Sequence, residues 1–204
     1  MKDLFVLVAD IDIEITIRTL LQVRRNSLAI RDLSFEVKRH PERDPGIFNY
    51  GLEFIRNYQN DYQKFILIFD YEGCGSTNSP RQIQENLREE AVRYGFNPGQ
   101  VEVIIIQPEF ESWVWKSRHH LAKLLEWSEA DMNLWLKRNF GLEKEEKPQH
   151  PKEVYEQLLR YKKKHDSSKN FEMITKRTGL KNCQDLAFQL LAETLRKWFP
   201  KANN

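Results

Sequence analysis

The sequence predicts a three-layer α/β domain, with a mostly parallel central sheet of about four strands and a helical extension after it. Three observations predict it. Short apolar runs at residues 4–9, 65–69 and 101–106 are each closed by acids or turn formers, the pattern of strands covered on both faces. The stretches between them carry helical periodicity, which gives a βαβ alternation and so a parallel sheet with right-handed crossovers. After Glu111 no comparable strand run recurs, and the chain reads as helical. These divisions set an α/β core over residues 1–110, a helical extension over 111–200 and a disordered tail over 201–204.

Taken in order, Leu4 to Ala9 is the first strand, and it runs into Asp10-Ile-Asp12-Ile-Glu14. Ile13, Ile17, Leu20 and Leu21 then shift to helical spacing, with Asp12 as the expected N-cap. Asn26 and Ser27 break that helix. Residues 34–37 form a second strand that leads into Lys38-Arg39-His40-Pro41-Glu42-Arg43-Asp44-Pro45-Gly46, which two prolines and a glycine mark as a charged loop. Phe48, Leu52, Ile55 and Tyr58 place a helix over residues 47–60. The third strand, Phe65-Ile-Leu-Ile-Phe-Asp70, ends in Tyr71-Glu72-Gly73-Cys74-Gly75. Ser79-Pro80 starts a helix that reaches Tyr94, because proline at a helix start gives up an amide that has no partner there. The fourth strand, residues 101–106, is followed at once by Gln107-Pro108-Glu109-Phe110-Glu111. Further helices are expected over residues 152–164, 170–178 and 183–198, with a charged hinge over 141–151.

Composition narrows the function classes. The 204 residues, 40% of them hydrophobic, suffice for one substantial core, and the formal net charge of +2 is too mild to argue for nucleic acid by itself. No apolar run approaches the roughly 20 residues that cross a bilayer, so no membrane partner is expected. Asp3, Asp10 and Asp12 interrupt the N-terminal apolar run where a secretory signal needs an unbroken one. Cys74 and Cys183 stand in unlike contexts and read as free thiols in a reducing cytoplasm. There is no P-loop or dinucleotide fingerprint after the first strand, and no nucleophile elbow around Cys74.

The chemistry-bearing pattern is distributed. Asp10, Asp12 and Glu14 follow the first strand, Asp70 and Glu72 the third, and Glu109 and Glu111 the fourth. In a parallel sheet the carboxyl ends of the strands share one edge, so the three groups meet there. Carboxylates brought that close raise one another's pKa unless a cation neutralises them. Mg2+ or Mn2+ suits an all-oxygen set, and Asp10, Asp12, Asp70, Glu72, Glu109 and Glu111 are the candidate ligands. A residual extended backbone would point Asp70 and Glu72 to the same side. His40 is placed to move a proton, with Lys38, Arg39 and Arg43 to hold a phosphate. Gly73 and Gly75 let backbone amides approach an anion. Each of these acids has a plainer reading as a helix cap or a solvated residue. Trp113, Trp115, Trp127 and Trp135 could stack bases beside Lys116, Arg118, His119 and His120, although helical spacing favours core packing for most of the tryptophans. Arg160 with Lys162-Lys-Lys164, and Lys176-Arg177, could follow a phosphate backbone, although solvated helix faces look as basic.

These motifs carry a resemblance. Ala9-Asp10-Ile-Asp12-Ile-Glu14, His40-Pro-Glu-Arg-Asp44-Pro-Gly46, Phe69-Asp70-Tyr-Glu72-Gly73-Cys74-Gly75, Pro108-Glu109-Phe-Glu111-Ser-Trp113 and the ending from Cys183 to Pro200 resemble a small family found with methylation-associated bacterial anti-phage systems. At greater distance they resemble Toprim nucleases. The resemblance implies a Toprim-like domain in which Asp10 takes the first acidic role, as metal ligand or proton carrier, and Asp70 and Glu72 take the paired metal-binding role. Asp10 stands where Toprim domains usually have glutamate, and Glu72 departs at the second place of the pair. Glu109 and Glu111 match the smaller family alone.

The resulting expectation is a Mg2+- or Mn2+-dependent nuclease, or a related phosphoryl-transfer component of a bacterial defence system, acting on DNA or RNA beside other defence proteins. Asp10, Asp70, Glu72, Glu109 and His40 would be its catalytic residues. The alternatives are a non-catalytic module that recognises nucleic acid or a nucleotide, and a structural subunit of a multiprotein complex.

Overall fold

The computed structural model describes residues 1–144, 146–180 and 183–201. Four strands, β1 (Lys2–Val8), β2 (Phe35–Arg39), β3 (Tyr62–Asp70) and β4 (Val101–Ile106), form one all-parallel sheet in the order β2-β1-β3-β4. The three apolar runs are β1, β3 and β4, and their residues from Leu4 to Val8, Phe65 to Phe69 and Val103 to Ile106 are buried. In β2 only Val37 is buried, and Glu36, Lys38 and Arg39 line the rest. A charged strand of this kind suits a sheet edge, where it discourages pairing with another chain.

Helix α1 (Ile11–Val23) joins β1 to β2, while α3 (Arg43–Arg56) and α4 (Pro80–Arg93) join β2 to β3 and β3 to β4. The first connection runs one way along the sheet and the other two run the opposite way. Right-handed crossovers therefore put α1 on one face and α3 with α4 on the other, and α3 does meet both α4 and β3. The extension completes the first face. Leu191 and Leu195 of α9 (Leu186–Trp198) close over Leu4, Val6 and Ile66 beside Ile17 and Leu20 of α1. The layers are thus α3 and α4, the sheet, and α1 with α9.

The remaining helices pack on this frame and on one another. A 3-10 segment, Phe110–Lys116, follows β4, and α7 (Pro151–Tyr161) packs on it. Trp115 Nε1 donates to the Pro151 carbonyl at 3.1 Å. Helix α8 (Ser168–Arg177) lies along α1, and the Arg24 guanidinium donates to the Thr175 carbonyl at 2.7 Å. The short α2 (Arg25–Leu28) meets α9, α5 (Arg118–Leu124) meets α8, and α6 (Glu129–Phe140) stands beside α5.

Several sequence expectations need correction. Lys38 and Arg39 belong to β2, and α3 begins at Arg43, four residues ahead of its expected start, so Pro45 and Gly46 are helical. The prolines misled because one in the first helical turn gives up an amide that has no intrahelical acceptor anyway. The N-cap of α1 is Asp10, not Asp12, for its Oδ1 accepts the amides of Asp12 and Ile13 at 2.9 Å each. Asn26 and Ser27 lie within α2. Pro200 bridges to Ile30, and Lys201 reaches Asn26 Oδ1 at 3.3 Å, so the chain stays docked beyond the expected start of a tail at 201. Residues 202–204 of that tail lie outside the described residues.

Gly46 shows how tightly the β2–α3 corner is built. A Cβ there would lie 2.1 Å from His40 Nδ1 and 2.7 Å from Glu42 Cβ. His40 is buried, so its ring has little room to yield. Gly46→Ala is expected to cost about 3 kcal/mol in chemical denaturation, in the range of an overpacked core. Gly51→Ala, whose Cβ would meet Ile47 and Leu67 side chains at 3.2 and 3.3 Å, is expected to cost less.

Candidate functional site

The sheet reverses its direction of growth between β1 and β3. In open α/β sheets the crevice at such a switch point, beyond the carboxyl ends of the strands, is where ligands bind. Val8 pairs with Ile68, so Asp10, two residues past the end of β1, and Asp70, at the end of β3, stand on the two sides of this switch. Asp44, from the first turn of α3, joins them by accepting the Asp70 amide on Oδ1 at 2.8 Å. Gly73 permits this approach, since a Cβ there would sit 2.8 Å from Asp44 Oδ2. From the other side, Glu111 points in from the 3-10 segment and pairs with Lys152 Nζ at 3.8 Å. The Lys152 amide donates to Glu109 Oε1 at 2.8 Å, so Glu109 caps the start of α7.

The electrostatics are those of an acidic cluster with Lys152 as its internal cation among the described residues. Burial, then Asp44, Glu111 and Asp10, push Asp70 well above the ordinary carboxylate range, while the Phe110 amide favours its charge. Its Oδ1 is sealed from solvent and has no hydrogen-bond partner among the described residues. Burial raises Glu111 to about 7, with Lys152 opposing and Glu109 and Asp10 reinforcing. Asp12 is raised to about 6 by burial, then by Asp10 and Asp166. Asp44 is raised by burial, and the Asp70 amide partly offsets that. For Lys152 burial favours the neutral amine, but Glu111, Glu109 and Asp70 outweigh it and hold the ammonium charged.

The structure thus brings together Asp10, Asp12, Asp70, Glu109 and Glu111 from the sequence-derived set. Glu72 stands apart. The strand ends at Asp70, and residues 71–73 turn, with the Cys74 amide on the Tyr71 carbonyl, so the extended backbone that would have paired Glu72 with Asp70 is missing and Glu72 is exposed. Glu14 is engaged by Arg18 at 2.9 Å and Arg39 at 3.0 Å. His40 is lowered by burial, and its Nδ1 accepts the Glu42 amide at 3.2 Å, which leaves the proton of the neutral ring on Nε2. Lys38 donates to the Tyr58 hydroxyl at 3.0 Å and lies over its ring. An open groove beside Asp10 is lined by Lys38, Arg39, His40 and Arg43. The Arg43 side chain is exposed and makes no hydrogen bond or ion pair among the described residues. Gly75, at φ +81°, serves the turn, and the carboxylate nearest Gly73 is the protein's own Asp44.

Asp44 and Lys152 are the members that sequence reasoning missed as parts of the site. Asp44 sits beside a proline in a stretch read as loop, and Lys152 lies in the helical extension far along the chain. The tryptophans serve mainly packing. Trp115 is buried, and Trp127 stacks on Tyr161 at 5.3 Å with Lys162 above it.

Tested against a divalent cation, the set fits only in part. Asp70 Oδ1 is the orphaned oxygen a cation would take, yet among the described residues no three His, Cys, Asp or Glu side chains converge as a metal-holding group. No helix among the described residues is long and apolar enough to cross a membrane. Compared with family models, curated proteins and solved structures, the chain matches none.

The raised carboxyls have a measurable consequence. Asp12 and Glu111 stay protonated in the fold above the pH at which the unfolded chain has lost those protons, so their contribution to stability falls as pH rises from about 4 to about 7. His40 and His120, held down by burial, work in the opposite sense, so a variant difference reads the cluster better than the raw curve. Asp12→Asn is expected to match the parent chain at pH 4 and to exceed it by about 1 kcal/mol at pH 8 in denaturant unfolding. A variant less stable than the parent at pH 8 would contradict the assignment.

Proposed function

We propose that the chain is a non-catalytic recognition module for a phosphate-bearing ligand, either nucleic acid or a nucleotide, working as a component of a larger system. What supports this reading is the state of the acids. Asp10 and Glu109 cap helices, Asp44 holds the Asp70 amide, and Glu111 holds Lys152, so these groups already serve the fold. Beside them, the groove offers the exposed guanidinium groups of Arg43 and of Arg39, the latter also paired with Glu14, next to a half-buried Lys38, and guanidinium groups bind phosphate in a planar, two-pronged fashion. The resemblance to proteins of anti-phage systems motivates nucleic acid as the first ligand to try and defence proteins as partners.

Fluorescence anisotropy with labelled single- and double-stranded DNA and RNA, in chelator, tests this reading. The expectation is saturable binding without cleavage that weakens with salt and does not change when Mn2+ replaces chelator. The double change Arg39→Gln and Arg43→Gln is expected to weaken binding about tenfold and to flatten its salt dependence by about two phosphate contacts. Absent binding, or binding untouched by the double change, would sink it.

A second reading, the Mg2+- or Mn2+-dependent nuclease, is favoured by one observation, the buried and unpartnered Oδ1 of Asp70 among raised carboxyls. Calorimetric titration of metal-stripped protein with Mn2+, beside Asp70→Asn after both are shown to fold, decides it. Saturable binding that is lost in the variant, together with Mn2+-dependent cleavage, would establish it. Equal or absent binding would leave the recognition module.

A further inference from the structure

Three aromatic side chains, from the ends of α5 and α7 and from α6, gather at the surface. Trp127, shortly after α5, stacks on Tyr161, the last residue of α7, with ring centroids 5.3 Å apart and planes 24° apart. Trp135 of α6 stands 5.2 Å from Tyr161 and 6.2 Å from Trp127, and Phe140 backs it at 5.5 Å. Were Tyr161 sandwiched between the tryptophans, they would stand about twice as far from each other as from it. Both therefore lie on one side of Tyr161, and neither covers its opposite face. Exposure agrees, for Tyr161 is 57% exposed and the two tryptophans are half-buried. The result is a flat ring held from behind, which keeps its position without an occupant.

The charge around this ring is basic. Arg160, Lys162, Lys163 and Lys164 flank Tyr161 in the chain, and two of them have acidic partners: Arg160 meets Glu156 at 3.4 Å and Lys164 meets Glu126 at 2.7 Å. Lys162 lies over the Trp127 ring, 4.9 Å from its centroid. Lys163 is exposed, and its side chain makes no hydrogen bond or ion pair among the described residues. Its backbone, just past α7, takes φ +52°, a left-handed conformation in which a Cβ is a cost and glycine is the usual choice. On α6, Arg138 stands one turn beyond Trp135, exposed and likewise without such a partner among the described residues. A flat apolar face edged by uncompensated cations suits a polyanion that carries flat apolar groups.

We infer that this ledge binds single-stranded nucleic acid, with an unpaired base stacked on the uncovered face of Tyr161 and the phosphates beside it met by Lys163 and Arg138. A ledge of this kind takes any base, because every base has a π-face, and its cations add an attraction that fades with salt. A duplex fits poorly, since its bases already stack on one another and present edges and phosphates instead of faces. In sequence the two halves of this feature stand apart. The fold joins them, for it sets Trp127 and Trp135 beside the basic run that ends α7. The ledge shares no residue with the groove of Arg39 and Arg43, and it stands independently of the function proposed for that groove.

The test follows a labelled oligothymidylate by fluorescence anisotropy, beside an abasic strand of equal length and so of equal charge. The full chain is titrated with and without the double change Arg39→Gln and Arg43→Gln, which separates the ledge from the groove. In either background the oligothymidylate is expected to bind more tightly than the abasic strand. Tyr161→Ala is expected to weaken oligothymidylate binding about tenfold, and to leave both its salt dependence and the abasic strand unchanged. Tyr161→Phe, which keeps the ring, retains the affinity, and Lys163→Gln flattens the salt dependence by about one phosphate contact. The indole N–H resonances of Trp127 and Trp135 move on binding, while that of the buried Trp115 stays. Should Tyr161→Ala fail to fold, the preference over the abasic strand in the groove variant, together with the movement of those two resonances, still decides. Absent binding, an abasic strand bound as tightly, a folded Tyr161→Ala chain that binds as the parent does, or resonances of Trp127 and Trp135 that stay in place would overturn the proposal and leave this face to a protein partner.

Discussion

Everything at the carboxyl edge of the sheet depends on one constraint: several carboxylates gathered at a topological switch point must be neutralised, and a single ammonium supplies most of the available opposite charge. Lys152 comes from α7, in the helical extension, and reaches Glu111 while its backbone amide meets Glu109. Charge compensation at the sheet edge and docking of the extension are thus one event. Desolvation makes a buried carboxylate costly unless a cation or several donors face it, and Asp70, with an unpartnered oxygen, stands at the under-compensated end of the set.

The same constraint explains how the fold is tied together. Residues from the β1–α1 junction, the start of α3, the end of β3, the 3-10 segment with the residue before it, and α7 each contribute at least one member, so the edge is specified by five separate stretches of chain. Gly46 and Gly73 are the steric permits, because one lets His40 lie against α3 and the other lets Asp44 reach the β3–α4 loop. A substitution at either place would act on the site through geometry before it touched any charge.

Much of this was legible in the sequence, and the reasons are local. The buried parallel strands announce themselves because residues covered on both faces must be apolar throughout, and acids that end such strands must gather at one edge, which brought Asp10, Asp70 and Glu111 together in advance. Ser79 and Pro80 marked the start of α4, where the structure adds a capping box between Ser79 and Gln82. What stayed hidden is long-range. Nothing near Lys152 in sequence reveals that α7 will lay it against Glu111, and Asp44 was obscured by prolines that a first helical turn tolerates. Glu72 shows the opposite failure, in which a two-residue spacing implied a shared side only while the strand continued, and the strand stops at Asp70.

The internal cation is the claim on which the account rests, and carbon-detected NMR titration of the side-chain carboxyls reads it directly. In the parent chain Glu111 should titrate near 7, and in Lys152→Met, which keeps the length of the side chain without its charge, its midpoint should move up by about one unit or more. A midpoint for Glu111 near the ordinary glutamate value in the parent, or one that Lys152→Met leaves in place, would contradict it.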